Sequence, residues 1–324
     1  MQRARPFAAA CVAALLFATF SAKADDYPNR PITLVVPFPA GGGVDAVGRI
    51  VAEKLTTALG QQVVVDNRGG AAGVIGTRAV TKAAPDGYTL VMATSGSIAI
   101  NPNLYANPGY QTLKDLSPIG LISSTPIVLM AHPSAAQQSL ADVIAAAKKD
   151  PGKLNIGTPP PGTSANLAAE LLKSIAGINF TIVTYRGTGP LTTDVLGGHV
   201  PLALNVLAPA IGHLKSGTLK ALAVLALKRS TLLPEVPTSA EAGLPGFEAG
   251  LNYGLLAPAG TPRPIVERLN KELRALIDTP EVRARISADG GDLLPSSPEE
   301  YAADIEREDK KWGALIKKLK LKVE

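Results

Sequence analysis

Gly41, Gly42 and Gly43 are the first residues with chemistry to offer. They follow residues 33–38, an apolar, β-branched run of strand length. After them Val47, Ile50, Val51, Leu55 and Leu59 recur at helical spacing. Asp45 falls in the first helical turn, where a negative side chain suits the dipole. A strand end, a glycine loop and a helix start bring backbone N–H groups to one point with no Cβ in the way, which is a ready anion site. The same device also serves simply to turn a chain. Its repetition further along favours a ligand.

The repeats carry hydroxyls. Ser95 and Ser97 lie in a small polar loop after an apolar run at 88–93. Thr158, Gly162, Thr163 and Ser164 lie in a loop that leads into a helical pattern at 164–175. Their O–H and N–H groups suit an anion. Helix capping is the alternative role, and Thr163 or Ser164 is a natural N-cap. Asn166 either points inward from the first turn or sits exposed. Tyr185, Arg186 and Gly187 end another apolar run at 180–185. Arg186 could hold a carboxylate bidentately, although an exposed loop arginine is the commoner case.

The elements needed to position these residues read as α/β. Residues 33–94 alternate strand, helix, strand, helix, strand, and each strand opens into a Gly- or Ser-rich loop. In open parallel sheets ligands bind at that edge. Residues 119–131 are apolar but interrupted by Ser123, Ser124, Thr125 and Pro126, and Pro133 starts a second unit. That unit has a helix at 140–149, strands at 154–157, 180–185, 200–207 and 219–227, and helices between them. A Pro/Gly-rich stretch at 228–250 precedes a strand at 253–257 and an amphipathic helix through Ile265, Leu269, Leu273 and Leu276. The last helix opens on Ser297-Pro298-Glu299-Glu300, a capping box with proline at the first helical position. Its apolar stripe is Tyr301, Ile305, Trp312, Ile316 and Leu319, with Trp312 as a packing residue.

Other chemistries lack their residues. His132, His199 and His213 are scattered, without metal-ligand spacing, and read as surface or satisfied structural residues. There is no G-x-S-x-G, H-E-x-x-H or Walker lysine motif. Gly41, Gly42 and Gly43 with Asp66 mimic a dinucleotide fingerprint, but the spacing G-G-G-x-D fits it poorly. No enzyme activity, cofactor or metal is expected.

The N-terminus is basic at Arg3 and Arg5, apolar over 7–20, and carries Ala22-Lys23-Ala24, a small-residue cleavage pattern. This reads as a secretory signal peptide over residues 1–24. Its removal takes Lys plus Arg from 32 to 29 against 27 acids, so the net charge falls to about +2 and nothing points to nucleic acid. Cys11, the only cysteine, leaves with it, so no disulfide or thiol chemistry remains. A soluble, periplasmic protein is expected.

Several short motifs, in order along the whole mature chain, resemble the Bug family. These are the extracytoplasmic solute-binding receptors of tripartite tricarboxylate transporters. The motifs are Tyr27-Pro28-Asn29-Arg30-Pro31, Val36-Pro37-Phe38-Pro39-Ala40-Gly41-Gly42, Asp66-Asn67-Arg68 and Pro85-Asp86-Gly87-Tyr88. Further ones are Asn101-Pro102-Asn103-Leu104-Tyr105, Pro234-Glu235-Val236-Pro237, Ala257-Pro258-Ala259-Gly260-Thr261-Pro262 and Lys311-Trp312. The resemblance implies a two-lobed type II periplasmic-binding-protein fold with two hinge crossings. One lobe is expected at 27–124 plus 251–324 and the other at 125–250. It implies a small carboxylate ligand in the interlobe cleft, gripped on one side by the loop of Pro39, Ala40, Gly41, Gly42 and Gly43, with Asp45 beside them as a further candidate contact. Residues 157–164 and 185–189 grip from the other. It implies membrane transporter subunits as partners and a monomeric receptor; a sensory receptor of the same fold is the alternative. Two departures stand out: Pro160 replaces a glycine of the family's loop pattern, and Asn166 replaces its histidine. Ala40 also stands where the family often has proline.

Overall fold

A computed structural model describes residues 27–288 and 290–323. The signal-peptide reading lies outside those residues. The elements run β1 (Ile32–Val36), α1 (Gly43–Leu59), β2 (Val63–Asn67), α2 (Val74–Thr81) and β3 (Thr89–Thr94). Then come α3 (Asn101–Leu104), α4 (Thr112–Asp115), β4 (Leu116–Ala131), α5 (Leu140–Lys149), β5 (Asn155–Thr158), α6 (Ser164–Ala176), β6 (Thr181–Thr184) and α7 (Thr188–Leu196). β7 (Leu202–Val206), α8 (Ile211–Lys215), β8 (Lys220–Val224) and β9 (Gly250–Pro258) follow. The chain closes with α9 (Arg263–Ile277), α10 (Pro280–Ala288), β10 (Asp292–Leu293) and α11 (Pro298–Leu319).

The strands join in the order β2-β1-β3-β9-β4-β7-β5-β6, with β8 and β10 also on β4. β1 runs parallel to β2 and β3, and β5 runs parallel to β6 and β7. Each half is therefore a parallel triplet whose strands all end at one edge, closed by antiparallel strands. This is the two-lobed mixed α/β architecture expected of a binding protein. It is not the 3-2-1-4-5-6 order of a dinucleotide-binding domain, and the Asp66 carboxylate is taken by Arg68 at 2.7 Å.

The element that joins the halves differs from the sequence reading. Residues 123–126 do not interrupt a strand: β4 is one strand of 16 residues. Its first part pairs β9 from Leu116 to Pro126, and its last part pairs β7 and β8 from Ile127 to Ala131. Pro126 falls at the change of partner, where a missing N–H costs no ladder bond. Ser124 Oγ donates to Asn252 Oδ1 at 2.7 Å, tying the two crossing strands together.

The cores follow the halves. Ile32, Leu34, Val51, Leu55, Leu90, Met92, Leu269 and Leu273 are buried together under α1 and α9. The amphipathic stripes of those two helices are what the first half buries. α11 straddles the molecule. Tyr301 and Ile305 pack with Val35, Val91 and Leu256, whereas Trp312 and Ile316 share a cluster with Ile100, Ile127, Ile156 and Leu167. Its start is a formed capping box between Ser297 and Glu300. The three histidines are surface residues with local partners, Ser134, Asp194 and Thr218. Among the described residues no helix is long and apolar enough to cross a membrane.

Candidate functional site

β1, β2 and β3 deliver three loops to one place. A Cβ on Gly73 would stand 3.2 Å from both the Phe38 ring and Ser97 Cβ, so all three loops touch there.

In the first loop Pro39, Ala40, Gly41, Gly42 and Gly43 are exposed. Gly41 has φ +82°, a conformation that favours glycine. Asp45, 3% exposed, shapes the loop. Its Oδ2 accepts from the Gly41 N–H at 2.8 Å and Arg49 Nε at 2.9 Å, and its Oδ1 accepts from Asn67 Nδ2 at 3.0 Å. Burial works against the charge, but these hydrogen bonds outweigh it and hold the carboxyl below its usual range. Both oxygens are occupied, so Asp45 positions the loop instead of contacting an anion. Gly42 caps α1 without a side chain, and the first N–H groups of a helix have no partner within it.

The second loop holds a turn that no sequence rule announces. Gly70, Ala71, Ala72 and Gly73 all have positive φ, at +131°, +48°, +50° and +97°. The left-handed region costs an alanine about 1–2 kcal/mol, so the surroundings must impose it. Asn101 supplies one constraint, with Nδ2 donating to Ala72 O at 2.8 Å.

The third loop was expected to be irregular. Instead residues 96–100 wind into a wide helical turn that runs into α3. Side chains draw its carbonyls outward: Thr112 Oγ1 donates to Ile98 O at 2.6 Å, and the Tyr110 hydroxyl donates to Ser97 O. Ser97, fully buried, is committed to the strand end, donating to Thr94 O at 3.0 Å and accepting from Thr94 N at 3.1 Å.

From the other half, β5 ends at Thr158 and the chain returns as α6. Thr163 is the N-cap, accepting from Asn166 N at 3.4 Å and donating to Pro160 O at 2.7 Å. Asn166 Nδ2 donates to Thr158 Oγ1 at 2.9 Å, and Thr158 donates on to Pro159 O at 3.0 Å. The loop of three prolines is thus laced shut by its own hydroxyls, and Asn166 does the lacing.

The two sides meet along a seam. Ser95 Oγ lies 3.0 Å from Ser164 Oγ, and also reaches Gly250 O at 3.3 Å and Asn252 N at 3.2 Å at the start of β9. A Cβ on Gly96 would stand 2.9 Å from Gly162 O. One on Gly162 would stand 2.5 Å from Asn101 Oδ1 and 3.2 Å from Ala72 Cβ. Only bare Cα atoms allow this approach. The structure therefore gathers Ser95, Ser97, Thr158, Gly162, Thr163, Ser164 and Asn166 at the seam. It leaves the loop at 39–43 exposed beside it.

Tyr185, Arg186 and Gly187 form a rim after β6. Tyr185 N donates to Thr158 O at 2.9 Å, and its hydroxyl donates to Asp194 at 2.8 Å. Burial, then Asp194, push that hydroxyl up to about 12. Arg186 is exposed and has no ion pair or hydrogen bond among the described residues.

Asn101, Asn67 and the turn at 70–73 are the residues that sequence reasoning did not place here. Asn101 stood in a quoted motif, but only contacts across 61 residues of chain reveal its position. Two surface hollows lie elsewhere, about 240 Å³ beside Leu214 and Leu233 and about 520 Å³ beside Asn103 and Lys320. Neither includes a residue of the converging loops. No group of three or more His, Cys, Asp or Glu among the described residues could hold a metal ion.

Residues 47–321 match the family model described as tripartite tricarboxylate transporter family receptor. Protein BugT of Bordetella pertussis is 37% identical over 295 residues, covering 91% of this chain and 90% of its own. The structure of R. palustris Rpa4515 with adipate superposes with a TM-score of 0.83 at 34% identity, over 90% of this chain and 98% of that one. MatC (Rpa3494) from Rhodopseudomonas palustris with bound malate gives 0.81 at 32% identity, over 90% and 100%. The chain belongs to the tripartite tricarboxylate transporter receptors, the Bug family of solute-binding proteins.

Proposed function

We propose that this protein is exported, with cleavage after Ala24, and captures a small carboxylate between its lobes for a tripartite transporter. One observation carries the reading. Hydroxyls from both sides, Ser95 and Ser164, meet at the seam beside the exposed glycine loop, and the buried carboxylate of that loop, Asp45, is fully paired. Such a site suits an anion. Two similar proteins hold adipate and malate, both carboxylates. The contacts assigned to the ligand are Gly42, Gly43, Ser95, Ser164 and Arg186. Asp45, Ser97, Thr158, Thr163 and Asn166 hold the loops in shape.

The lobes are assigned to residues 27–124 with 251–324, and to residues 125–250. The change of β4's partner after Pro126 and the start of β9 at Gly250 support that division. α11 packs on both cores, Tyr301 and Ile305 on one and Trp312 and Ile316 on the other, and would act as a strap across the hinge. No role as an enzyme is assigned, and membrane subunits of the transporter are the partners, reached by the closed form.

The experiment is calorimetric titration of purified mature protein with adipate, malate, succinate and citrate, repeated on Ser164→Ala. A hydrogen bond to a charged group is worth about 1.5–3 kcal/mol. Ser164→Ala should therefore weaken binding of the preferred acid by about tenfold or more. Absence of binding to every acid, by protein with a normal melting curve, refutes the reading.

A further inference from the structure

Asn101 is fully buried, and its two ends have different fates. Nδ2 donates to Ala72 O at 2.8 Å and so pins the left-handed turn at 70–73. Oδ1 is buried with no hydrogen-bond partner among the described residues. It faces Gly162 of the opposite loop: a Cβ there would stand 2.5 Å from it, 3.2 Å from Ala72 Cβ and 3.4 Å from the Tyr105 ring. An acceptor therefore sits on the inner face of the seam, held in place by its own amide group. With the lobes apart it would face water. With the lobes together it faces a Cα.

An acceptor desolvated without a donor opposes closure. A ligand that brings an N–H or O–H to that point removes the opposition, and one without such a group does not. Carboxylates of equal length would then be separated by what else they carry. We propose that Asn101 is a specificity-determining residue: its Oδ1 accepts a hydrogen bond from a hydroxyl or amino group on the bound carboxylate. The site then selects hydroxy- or amino-acids of the dicarboxylate class over their unsubstituted counterparts. Gly162 and Ala72, which lie beside it with the Tyr105 ring, carry no donor side chain. This rests on the carboxylate reading above and adds the second functional group of the ligand.

The test uses matched sets, so ligand length cancels throughout and charge cancels between each plain acid and its hydroxy acid. Succinate is compared with malate and aspartate, and glutarate with 2-hydroxyglutarate and glutamate, by calorimetry on the mature protein. The expected result is that, within at least one set, an acid bearing the donor binds tenfold or more tightly than the plain acid. Asn101→Leu and Asn101→Ala should each remove that preference and bind the two members of the pair within about twofold. Both variants are followed by melting curves, and the smaller alanine serves if leucine fails to fold. Equal binding of plain and substituted acids by the unmodified protein overturns the inference and leaves the carboxylate reading standing. A preference that survives in a folded Asn101 variant also overturns it, because another acceptor then reads the group. If no acid of either set binds, the carboxylate reading fails and this inference with it.

Discussion

Gly96→Ala separates closure from folding. Gly96 lies in helical backbone, where alanine is favoured over glycine, by roughly 0.5–1 kcal/mol in a regular helix. Its new Cβ would stand 2.9 Å from Gly162 O and 3.9 Å from Thr163 Cα, both across the seam, with Thr94 Oγ1 at 3.6 Å on its own side. Relief to ordinary contact requires the sides to part by about 0.5 Å. The Ser95–Ser164 hydroxyl pair, 3.0 Å apart, would then stretch to the limit of a hydrogen bond. One buried hydrogen bond contributes about 0.5–1.5 kcal/mol, and residual overlap of an added methyl costs about 1–3 kcal/mol. Together they oppose closure by about 1.5–4.5 kcal/mol, a loss of roughly tenfold to 2,000-fold in affinity. The open protein has no reason to be less stable. The assay pairs calorimetric titration of the preferred carboxylate with a melting curve in the absence of ligand. Weaker binding with an unchanged or slightly raised melting temperature is expected. Unchanged affinity would show that the seam is not part of the bound state, and a fall in melting temperature of several degrees would show that it belongs to the fold itself.

Other changes probe the remaining parts. At Gly42 the nearest atom to a new Cβ is Pro39 O at 3.6 Å and φ is −86°, so Gly42→Val fits the free protein. It should abolish detectable carboxylate binding while leaving the melting curve in place. Asp45 has a carboxyl held below its usual range, so its contribution is complete at neutral pH, persists above its unfolded value near pH 4, and is lost as pH falls through the folded value. Melting temperature should fall more steeply below pH 4 for the wild type than for Asp45→Asn, which should already bind the ligand more weakly at pH 7. Ser297→Ala removes one side of the capping box and should cost about 1 kcal/mol in denaturant unfolding, with no effect on binding.

What the sequence disclosed was mostly local. The change from strand to helical period around Gly41 placed β1 and α1, Gly60 ended α1 in the left-handed conformation, and Ser297 opened α11. Of the two N-cap candidates, Thr163 and Ser164, the cap is Thr163, legible because capping depends on residues three apart. The features that were hidden depend on distant partners. β4 looked broken at 123–126 because short polar side chains and a proline usually end a strand, whereas here β9 lies alongside and accepts them. α10 has almost no one-sided apolar pattern, with only Val282 and Ile286 buried, so it passed unnoticed. Ala71 and Ala72 carry no sign of a left-handed turn, since alanine disfavours it and Asn101 imposes it from afar. Asp45 was read as a ligand contact from its place beside the glycines. The structure supports a role one step back, because Arg49 and Asn67 fill its oxygens.

The most direct test of carboxylate capture between the lobes is a crystal structure of the mature protein with its preferred acid bound. The account predicts one carboxylate group against the N–H groups of Gly42 and Gly43, with the molecule reaching Ser95 and Ser164 across the seam. A ligand bound outside the seam, in contact with only one lobe, would contradict it.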